Sequence, residues 1–254
     1  MHVLILGGAG EARELARRLS GRPGLRVTLS LAGRTRAPEI PDAAARVGVR
    51  VGGFGGADGL ADWLRAHAVA VLVDATHPFA RRISGNAVRA AAAVAIPLVV
   101  LERPPWQAVP GDRWTRVPDM AAAAAALGDA PRRVFLAIGR QEVSAFRAAS
   151  HHHYLVRSIE PVAPADLPPR AETLLARGPF AEADERALLA ARGVEVVVAK
   201  NSGGDATYGK IAAARHLGLP VVLVDRPTRP EAAATVEAAL ARLDHVAGSA
   251  DRGV

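Results

Sequence analysis

The chain has 254 residues, a length that suits one large domain or two small ones. Half of the residues are hydrophobic and 22% are charged. This composition excludes a disordered chain, and the absence of cysteine excludes disulfides, thiolate metal sites and a cysteine nucleophile. No stretch approaches the roughly 18 uncharged apolar residues of a membrane span, and no basic region precedes the first apolar run. We therefore expect a cytoplasmic protein without a membrane partner.

The net charge of +7 comes from arginine, because all but two of the 32 basic residues are arginines. These residues are spread along the chain and only 4% of residues are aromatic, so we expect no nucleic-acid partner. Lysine, asparagine and tyrosine are all rare. Four of the six fall in one short segment, which we interpret as chemically constrained: Lys200, Asn201, Tyr208 and Lys210.

Strand-length runs rich in valine and leucine alternate with helix-like stretches through the first part of the chain. Their hydrophobicity is continuous rather than alternating, which favours strands buried on both faces of a parallel sheet. The predicted strands are 3–6, 26–31, 47–51, 71–74 and 98–101, and the predicted helices are 11–20, 59–66 and 84–94.

A segment rich in proline, arginine and tryptophan, residues 102–119, predicts a crossover to a second half of the same kind. The sequence thus predicts an α/β fold of two Rossmann-like halves, each a mainly parallel sheet flanked by helices, with the active site in the cleft between them. We expect a first domain over 1–102, a second over 103–245 and a flexible tail over 246–254. The predicted strands of the second half are 133–137, 154–158, 195–199 and 220–224, and its helices are 141–149, 181–192, 207–217 and 231–243.

The first strand leads into a glycine-rich turn, Gly7-Gly8-Ala9-Gly10, and then into a helix. Backbone N–H groups of such a turn approach a pyrophosphate closely, and the positive end of the helix favours its charge. The match to the dinucleotide fingerprint is partial, because Arg13 stands where the third glycine belongs. A tight turn without a ligand would also need glycines. Glu11 either caps the helix or contacts a ribose.

The second strand is followed by Arg34, Thr35 and Arg36 and by no acidic residue. An NAD-binding domain commonly has a carboxylate near this point to bind the ribose 2′-hydroxyl. Two guanidinium groups and a hydroxyl are suited instead to a 2′-phosphate. The pattern predicts NADPH as the cofactor, with exposed arginines of an arginine-rich chain as the alternative.

The loop after the fourth strand contains His77 directly before Pro78. A polar ring held at the carboxyl end of a strand favours ligand or substrate contact. Asp74 and Thr76 of the same loop are alternatively caps of the next helix. By contrast, adjacent histidines on a strand alternate between faces, so residues 151–153 predict no metal site.

The loop that follows the strand 195–199 contains the constrained segment. Residues 204–210 match the G-x-x-x-x-G-K pattern of a phosphate loop, but Ile211 stands where Ser or Thr must hold magnesium. We favour an anion-binding loop that uses Lys200, Asn201 and Ser202, with Lys210 nearby or paired structurally.

Five segments, in order, resemble a known family: Leu6-Gly7-Gly8-Ala9-Gly10-Glu11-Ala12, Asp74-Ala75-Thr76-His77-Pro78-Phe79-Ala80, Gly139-Arg140-Gln141-Glu142, Arg177-Gly178-Pro179-Phe180 and Lys200-Asn201-Ser202-Gly203-Gly204. The resemblance is to the precorrin-6A reductases of cobalamin biosynthesis and extends over residues 3–225. The His-Pro-Phe-Ala and Lys-Asn-Ser-Gly-Gly segments are its specific parts.

The resemblance implies an NADPH-dependent oxidoreductase that delivers hydride to one carbon–carbon double bond of precorrin-6A and gives precorrin-6B. This substrate is a flat tetrapyrrole with several carboxylates, for which arginine, lysine and amide groups are suitable donors. The nicotinamide carries the chemistry, while the protein orients it and supplies or admits a proton. Hand-over of the product to other corrin-pathway enzymes is a further partnership that the resemblance suggests.

Site residues follow from the resemblance position by position. Lys200 and His77 are the candidate catalytic residues, although water or the substrate itself are open as proton sources. The alternatives are a cobalt-precorrin-6A reductase of the anaerobic route and a non-catalytic NADP-sensing domain. The expected cofactor residues are Gly8, Ala9, Gly10, Glu11, Arg34, Thr35, Arg36, Thr76, His77, Pro78 and Phe79, and the expected substrate residues are Lys200, Asn201, Ser202 and Arg140.

Overall fold

The computed structural model describes residues 1–8, 10–33, 47–229 and 231–250, the side chains of residues 249 and 250 excepted. The chain forms two compact units. Unit 1 comprises Met1–Arg103 and Pro227–Val254, and unit 2 comprises Pro104–Arg226. In the described residues each unit has one six-stranded sheet in which all paired strands are parallel. The predicted α/β fold with two parallel sheets is confirmed.

The elements of unit 1 are β1 (His2–Leu6), α1 (Gly10–Ser20), β2 (Arg26–Leu31), β3 (Val47–Val51), α2 (Ala57–Ala66), β4 (Val71–Asp74), α3 (Arg81–Val94), β5 (Leu98–Leu101), β12 (Ala232–Ala233) and α7 (Val236–Ala250). Its sheet has the strand order β12-β5-β4-β1-β2-β3. The first strand is therefore central, with the second and fourth strands as neighbours.

Both faces of this sheet are buried, as the alternation along β1 demonstrates. Val3 and Ile5 pack with apolar residues of α1 and α7, whereas Leu4 and Leu6 pack with those of α2 and α3. All four side chains are almost fully buried, and each contributes about 1.5–3 kcal/mol on burial. Continuous hydrophobicity in the strand is the consequence of this two-sided cover.

The elements of unit 2 are β6 (Trp114–Val117), α4 (Met120–Ala125), β7 (Arg133–Ala137), a 3-10 helix (Arg140–Phe146), β8 (His153–Ser158), a short 3-10 helix (Pro164–Asp166), β9 (Ala171–Leu175), α5 (Glu182–Ala191), β10 (Val196–Lys200), α6 (Gly209–His216) and β11 (Val221–Val224). Its sheet has the strand order β6-β11-β10-β7-β8-β9. One face of the sheet packs against α5 and α6, with Phe135 and Val197 among its buried residues.

The assignment of the last residues differs from the expected second domain over 103–245 and tail over 246–254. Residues 227–245 belong to unit 1 rather than to the second domain, because β12 pairs with β5 and α7 packs on β5 and α1. Leu240 and Leu243 of α7 cover part of the first sheet. The helix continues to Ala250, into the expected tail, and residues 251–254 lie outside the described residues.

The secondary structure differs from the prediction at further positions. The expected crossover 102–119 contains an edge strand, β6, and the sequence prediction omitted α4, β9 and β12, the last of which lies within the expected helix 231–243. The expected helix 141–149 is a 3-10 helix, Arg140–Phe146. None of the described helices is long and apolar enough to cross a membrane.

Gly7 is required by a close approach of two loops. Its φ is 139°, and a Cβ at this position would lie 2.3 Å from the carbonyl oxygen of Ala75. Gly10 differs, because a Cβ there would meet no atom of the described residues within 4 Å. Close packing therefore requires glycine at position 7 of this turn but not at position 10.

Replacement of Gly7 by alanine should lower the free energy of unfolding by at least about 2 kcal/mol, because alanine is strained at a φ of 139° and its Cβ would force the loop after β4 to move. Gly10→Ala is the matched control and should change stability by less than about 1 kcal/mol. Urea unfolding followed by circular dichroism measures both. Equal effects of the two substitutions would contradict this interpretation.

Candidate active site

The five motif segments all follow the carboxyl ends of strands. In unit 1 the glycine turn follows β1, and the loop Asp74–Ala80 begins at the end of β4. In unit 2 the segments that begin at Gly139, Arg177 and Lys200 follow β7, β9 and β10 or lie at their ends. Ligands of parallel α/β sheets bind at this edge. Each unit thus gathers its motifs at the carboxyl edge of its own sheet.

The glycine turn is held against its neighbouring strands by backbone hydrogen bonds. The N–H of Gly7 donates to the carbonyl oxygen of Ser30 at 3.1 Å, and the N–H of Ala75 donates to that of Leu6 at 2.9 Å. The turn opens α1, which begins at Gly10. The backbone N–H groups at such a helix start are suited to an anion. Ala9 lies outside the described residues.

Glu11 in the first turn of α1 has a specific partner within unit 1. Its carboxylate accepts hydrogen bonds from Nη1 of Arg103 at 3.0 and 3.2 Å. Both side chains are partly buried. Glu11 was expected either to cap the helix or to contact a ribose. The structure shows a third role, an ion pair with Arg103 that compensates the negative charge beside the turn. The other expected cofactor residues of this region, Arg34, Thr35 and Arg36, lie outside the described residues.

Asp74 and Thr76 stabilise the loop after β4 and do not cap α3. The residue at the start of α3 is Ala80, which has no side-chain cap. The buried Asp74 Oδ1 accepts from the backbone N–H of Thr76 at 3.1 Å and from its hydroxyl at 2.6 Å. The Thr76 oxygen also lies 3.1 Å from the hydroxyl oxygen of Ser84. The alternative that these residues cap the helix was therefore wrong. They have a structural role in the loop instead.

His77, Pro78 and Phe79 form the outer part of this loop. His77 is exposed, Pro78 is buried and Phe79 is partly buried. The N–H of Phe79 donates to Nδ1 of His77 at 3.2 Å, so the neutral imidazole carries its proton on Nε2. This arrangement makes the exposed ring a hydrogen-bond donor through Nε2.

Two residues that the sequence analysis did not select, Glu102 and Arg229, complete the loop region of unit 1. Nε of Arg229 lies 3.2 Å from the Glu102 carboxylate, and Nη1 lies 3.6 Å from the Asp74 carboxylate. Nη2 donates to the hydroxyl of Thr76 and to the carbonyl oxygen of His77. Arg229 follows Thr76 by 153 residues in the sequence, so no local pattern indicated this cluster.

In unit 2, Lys200 at the end of β10 pairs with Glu142, which belongs to the motif that begins at Gly139. The Lys200 side chain is 15% exposed and that of Glu142 is 39% exposed. Arg140 of the same motif is exposed at the start of the 3-10 helix. These residues place two cationic groups and one carboxylate at the carboxyl edge of the second sheet.

Asn201 is buried and serves the loop structure. Its Oδ1 accepts from the backbone N–H of Trp106 at 2.8 Å, and its Nδ2 donates to the carbonyl oxygen of Trp106 at 3.2 Å. Ser202 is likewise buried, and its N–H donates to the carbonyl oxygen of Lys200. The side-chain amide is therefore engaged within the protein, which gives Asn201 a structural role.

Lys210 and Tyr208 surround the same tryptophan. Nζ of Lys210 lies 4.8 Å from the centre of the Trp106 ring and donates to the carbonyl oxygen of Thr207 at 2.5 Å. The Tyr208 ring lies 5.7 Å from that of Trp106. The lysine of the G-x-x-x-x-G-K pattern is thus buried in an internal contact, in accord with its expected structural pairing and unlike a phosphate-loop lysine.

A buried ion pair supports the loop that contains Phe180. The carboxylate of Glu185 on α5 binds the guanidinium of Arg157 on β8, and both side chains are almost fully buried. The guanidinium carbon of Arg157 lies 3.7 Å from the Phe180 ring centre. The N–H of Phe180 in turn donates to the carbonyl oxygen of Ala206. The motif from Arg177 to Phe180 therefore packs against the loop after Lys200.

No group of three potential ligands that would suit a metal ion occurs among the described residues. His152 is fully buried, and its Nδ1 accepts from the backbone N–H of Arg132 at 3.2 Å. Burial lowers the pKa of His152. This histidine is therefore part of the protein interior of unit 2.

A parallel sheet with a glycine turn between its first strand and first helix, as in unit 1, is the architecture of dinucleotide-binding α/β proteins. Comparison with known proteins narrows this class. The family model "Precorrin-6x reductase CbiJ/CobK" matches residues 2–244. The chain belongs to the precorrin-6x reductase family, a family of oxidoreductases of cobalamin biosynthesis.

Individual relatives agree with this assignment. A precorrin-6A reductase of Sinorhizobium sp is 54% identical over 96% of this chain and 92% of its own length. A solved structure of CobK precorrin-6A reductase is 46% identical and superposes with a TM-score of 0.89 over 97% of both chains. A cobalt-precorrin-6A reductase of Priestia megaterium is 31% identical over 89% of this chain and 90% of its own length.

We predict that Asn201→Ala destabilises the protein by about 2–4 kcal/mol, because it leaves the backbone N–H and carbonyl of Trp106 unpaired in the interior. Asp205→Ala, at an exposed position of the same loop, is the control and should be almost neutral. Thermal unfolding followed by tryptophan fluorescence compares the two. A stable Asn201→Ala protein would show that the amide is not a structural clamp.

Proposed function

We propose that this chain catalyses the NADPH-dependent reduction of one carbon–carbon double bond of precorrin-6A, with precorrin-6B as the product. The observation that carries the proposal is the family match over residues 2–244, nearly the whole chain. The high identity to relatives named precorrin-6A reductase, and the lower identity to one named cobalt-precorrin-6A reductase, favour the metal-free macrocycle as substrate.

In this proposal unit 1 holds the coenzyme. The pyrophosphate binds the backbone N–H groups of Gly8, Ala9 and Gly10, and the open space beside Gly10 in the described part of the chain fits this role. Arg103 favours the same role because it compensates the carboxylate of Glu11 next to the turn. A second group of residues, proposed from the sequence alone, binds the 2′-phosphate: Arg34, Thr35 and Arg36.

The loop after β4 is proposed to contact the nicotinamide through Thr76, His77, Pro78 and Phe79. When bound, the nicotinamide supplies the hydride. Because the Thr76 hydroxyl donates to Asp74, its contribution is to hold the loop. The partly buried Phe79 supplies apolar surface, the buried Pro78 fixes the backbone beside it, and His77 presents an N–H donor at Nε2.

Carboxylates of the macrocycle are proposed to bind cationic groups at the edge of the second sheet, Lys200 and Arg140. Lys200 is paired with Glu142, so a substrate carboxylate competes for an ammonium group that is already oriented. Asn201 and Ser202 serve this site by fixing the loop in which Lys200 lies.

Reduction of a double bond requires a proton as well as a hydride. The ammonium group of Lys200 and, once it is protonated to the imidazolium, the ring of His77 are the two protein candidates, and solvent water is the third. We place the reaction in the cytoplasm, where other corrin-pathway enzymes would accept the product.

The coenzyme assignment predicts that wild-type protein binds NADPH at least 10-fold more tightly than NADH, because a 2′-phosphate gains charged hydrogen bonds. Arg34→Ala should remove most of this preference. Titration of coenzyme fluorescence measures all four affinities, and Arg242→Ala, in α7 of the same unit, is the control. Equal affinity of the wild type for the two coenzymes would contradict the assignment.

The substrate assignment predicts that Lys200→Ala lowers kcat/KM for precorrin-6A at least 10-fold while the NADPH dissociation constant stays unchanged. Lys200→Arg, which retains the charge, should keep more activity than the alanine variant if the residue binds a carboxylate. Steady-state oxidation of NADPH measures both variants. Normal turnover of Lys200→Ala would remove Lys200 from the site.

A further inference from the structure

Arg229 lies after unit 2 in the chain but belongs to unit 1, and the reaction proposed above gives it no role. Its side chain is only 7% exposed, although the chain has many arginines at its surface. Burial of a guanidinium is costly unless charge and hydrogen bonds compensate it. A buried arginine in this chain therefore needs a specific explanation.

Two carboxylates compensate the charge of Arg229. Nε lies 3.2 Å from Oε2 of Glu102 and Nη1 lies 3.6 Å from Oδ2 of Asp74. Neither Nε nor Nη1 has a well-aligned hydrogen bond within the described residues. These two contacts therefore stabilise the guanidinium by charge. Its hydrogen bonds are made by the third nitrogen, Nη2.

Within the part of the chain that the structure describes, both side-chain hydrogen bonds of Arg229 go to the loop after β4. Nη2 donates to the carbonyl oxygen of His77 at 2.8 Å and to the hydroxyl oxygen of Thr76 at 3.3 Å. Because the Thr76 hydroxyl donates its own proton to Asp74, its oxygen is available as an acceptor for Arg229. The guanidinium thus bridges the start of the loop and its outer part.

We infer that Arg229 is a positioning residue that holds the segment from Thr76 to Phe79 in the conformation that serves the coenzyme. It acts through the carbonyl group of His77 and the hydroxyl group of Thr76, and it needs no contact with substrate or coenzyme. The catalytic part of this inference rests on the proposed function. The structural part, the order of the loop, can be tested without any ligand.

The first test is amide hydrogen exchange of the coenzyme-free protein. Arg229→Met should accelerate exchange in the peptide that spans residues 75–80 by at least about 10-fold and leave β1 and β2 protected. Arg242→Met is the matched control, because Arg242 also pairs with a glutamate of unit 1 but is 38% exposed. Unchanged exchange in residues 75–80 of Arg229→Met would overturn the inference.

A milder variant covers the case in which Arg229→Met does not fold. Glu102→Gln preserves side-chain shape and removes one of the two charges that hold the guanidinium. It should accelerate exchange in the same peptide, by less than the arginine substitution. An effect spread evenly over unit 1, or none at all, would mean that the charge pair does not order the loop.

The second test measures catalysis by the folded fraction. Arg229→Met should lower kcat at least 10-fold and weaken NADPH binding, and Arg229→Lys should fall between it and the wild type. If Arg229 acts through the loop, Thr76→Val and Arg229→Met should have less than additive effects on kcat. Normal kcat and NADPH affinity in folded Arg229→Met would overturn the positioning role.

The two tests separate this inference from the proposed function. If Arg229→Met shows the expected change in exchange but the wild-type protein does not oxidise NADPH with precorrin-6A, the proposed function is overturned and Arg229 remains the residue that orders the loop. Active wild-type protein with an unaffected Arg229→Met variant would overturn the inference alone.

Discussion

The parallel direction of the strands is the constraint on which the other features depend. In the described residues every strand pair is parallel, so all carboxyl ends of a sheet lie along one edge. Segments far apart in sequence, such as the glycine turn and the loop after β4, thereby become neighbours within unit 1. Their contact is close enough that Gly7 tolerates no side chain beside Ala75. The same edge in unit 2 collects the segments that begin at Gly139, Arg177 and Lys200.

Residues at these edges fall into two groups with different physical roles. One group forms the loops themselves: Asn201 engages the backbone of Trp106, Lys210 lies against its ring, and Thr76 donates to Asp74. The other group presents polar atoms at the edge, with His77 as the exposed example. The concentration of rare residue types after β10 was therefore a signal of constraint, and much of that constraint is the packing of one tryptophan.

The predictable part of the fold was the central strands, because burial on both faces requires the continuous apolar runs that the sequence displays. The strands that escaped prediction, β6, β9 and β12, all lie at sheet edges, where one side lacks a neighbour and polar residues are tolerated. The return of α7 to unit 1 and the cluster around Arg229 depend on contacts between distant segments. In an arginine-rich chain, the sequence around one arginine does not indicate that its side chain is buried.

The most direct test of the proposed reaction is a single-turnover experiment with purified protein, NADPH and precorrin-6A, followed by absorbance of the coenzyme and mass spectrometry of the macrocycle. We expect that one NADPH is oxidised for each macrocycle, that the product gains two hydrogens, and that metal-free precorrin-6A reacts faster than its cobalt form. Coenzyme oxidation with the cobalt form alone would contradict the assigned substrate. No oxidation with either macrocycle would contradict the assigned reaction.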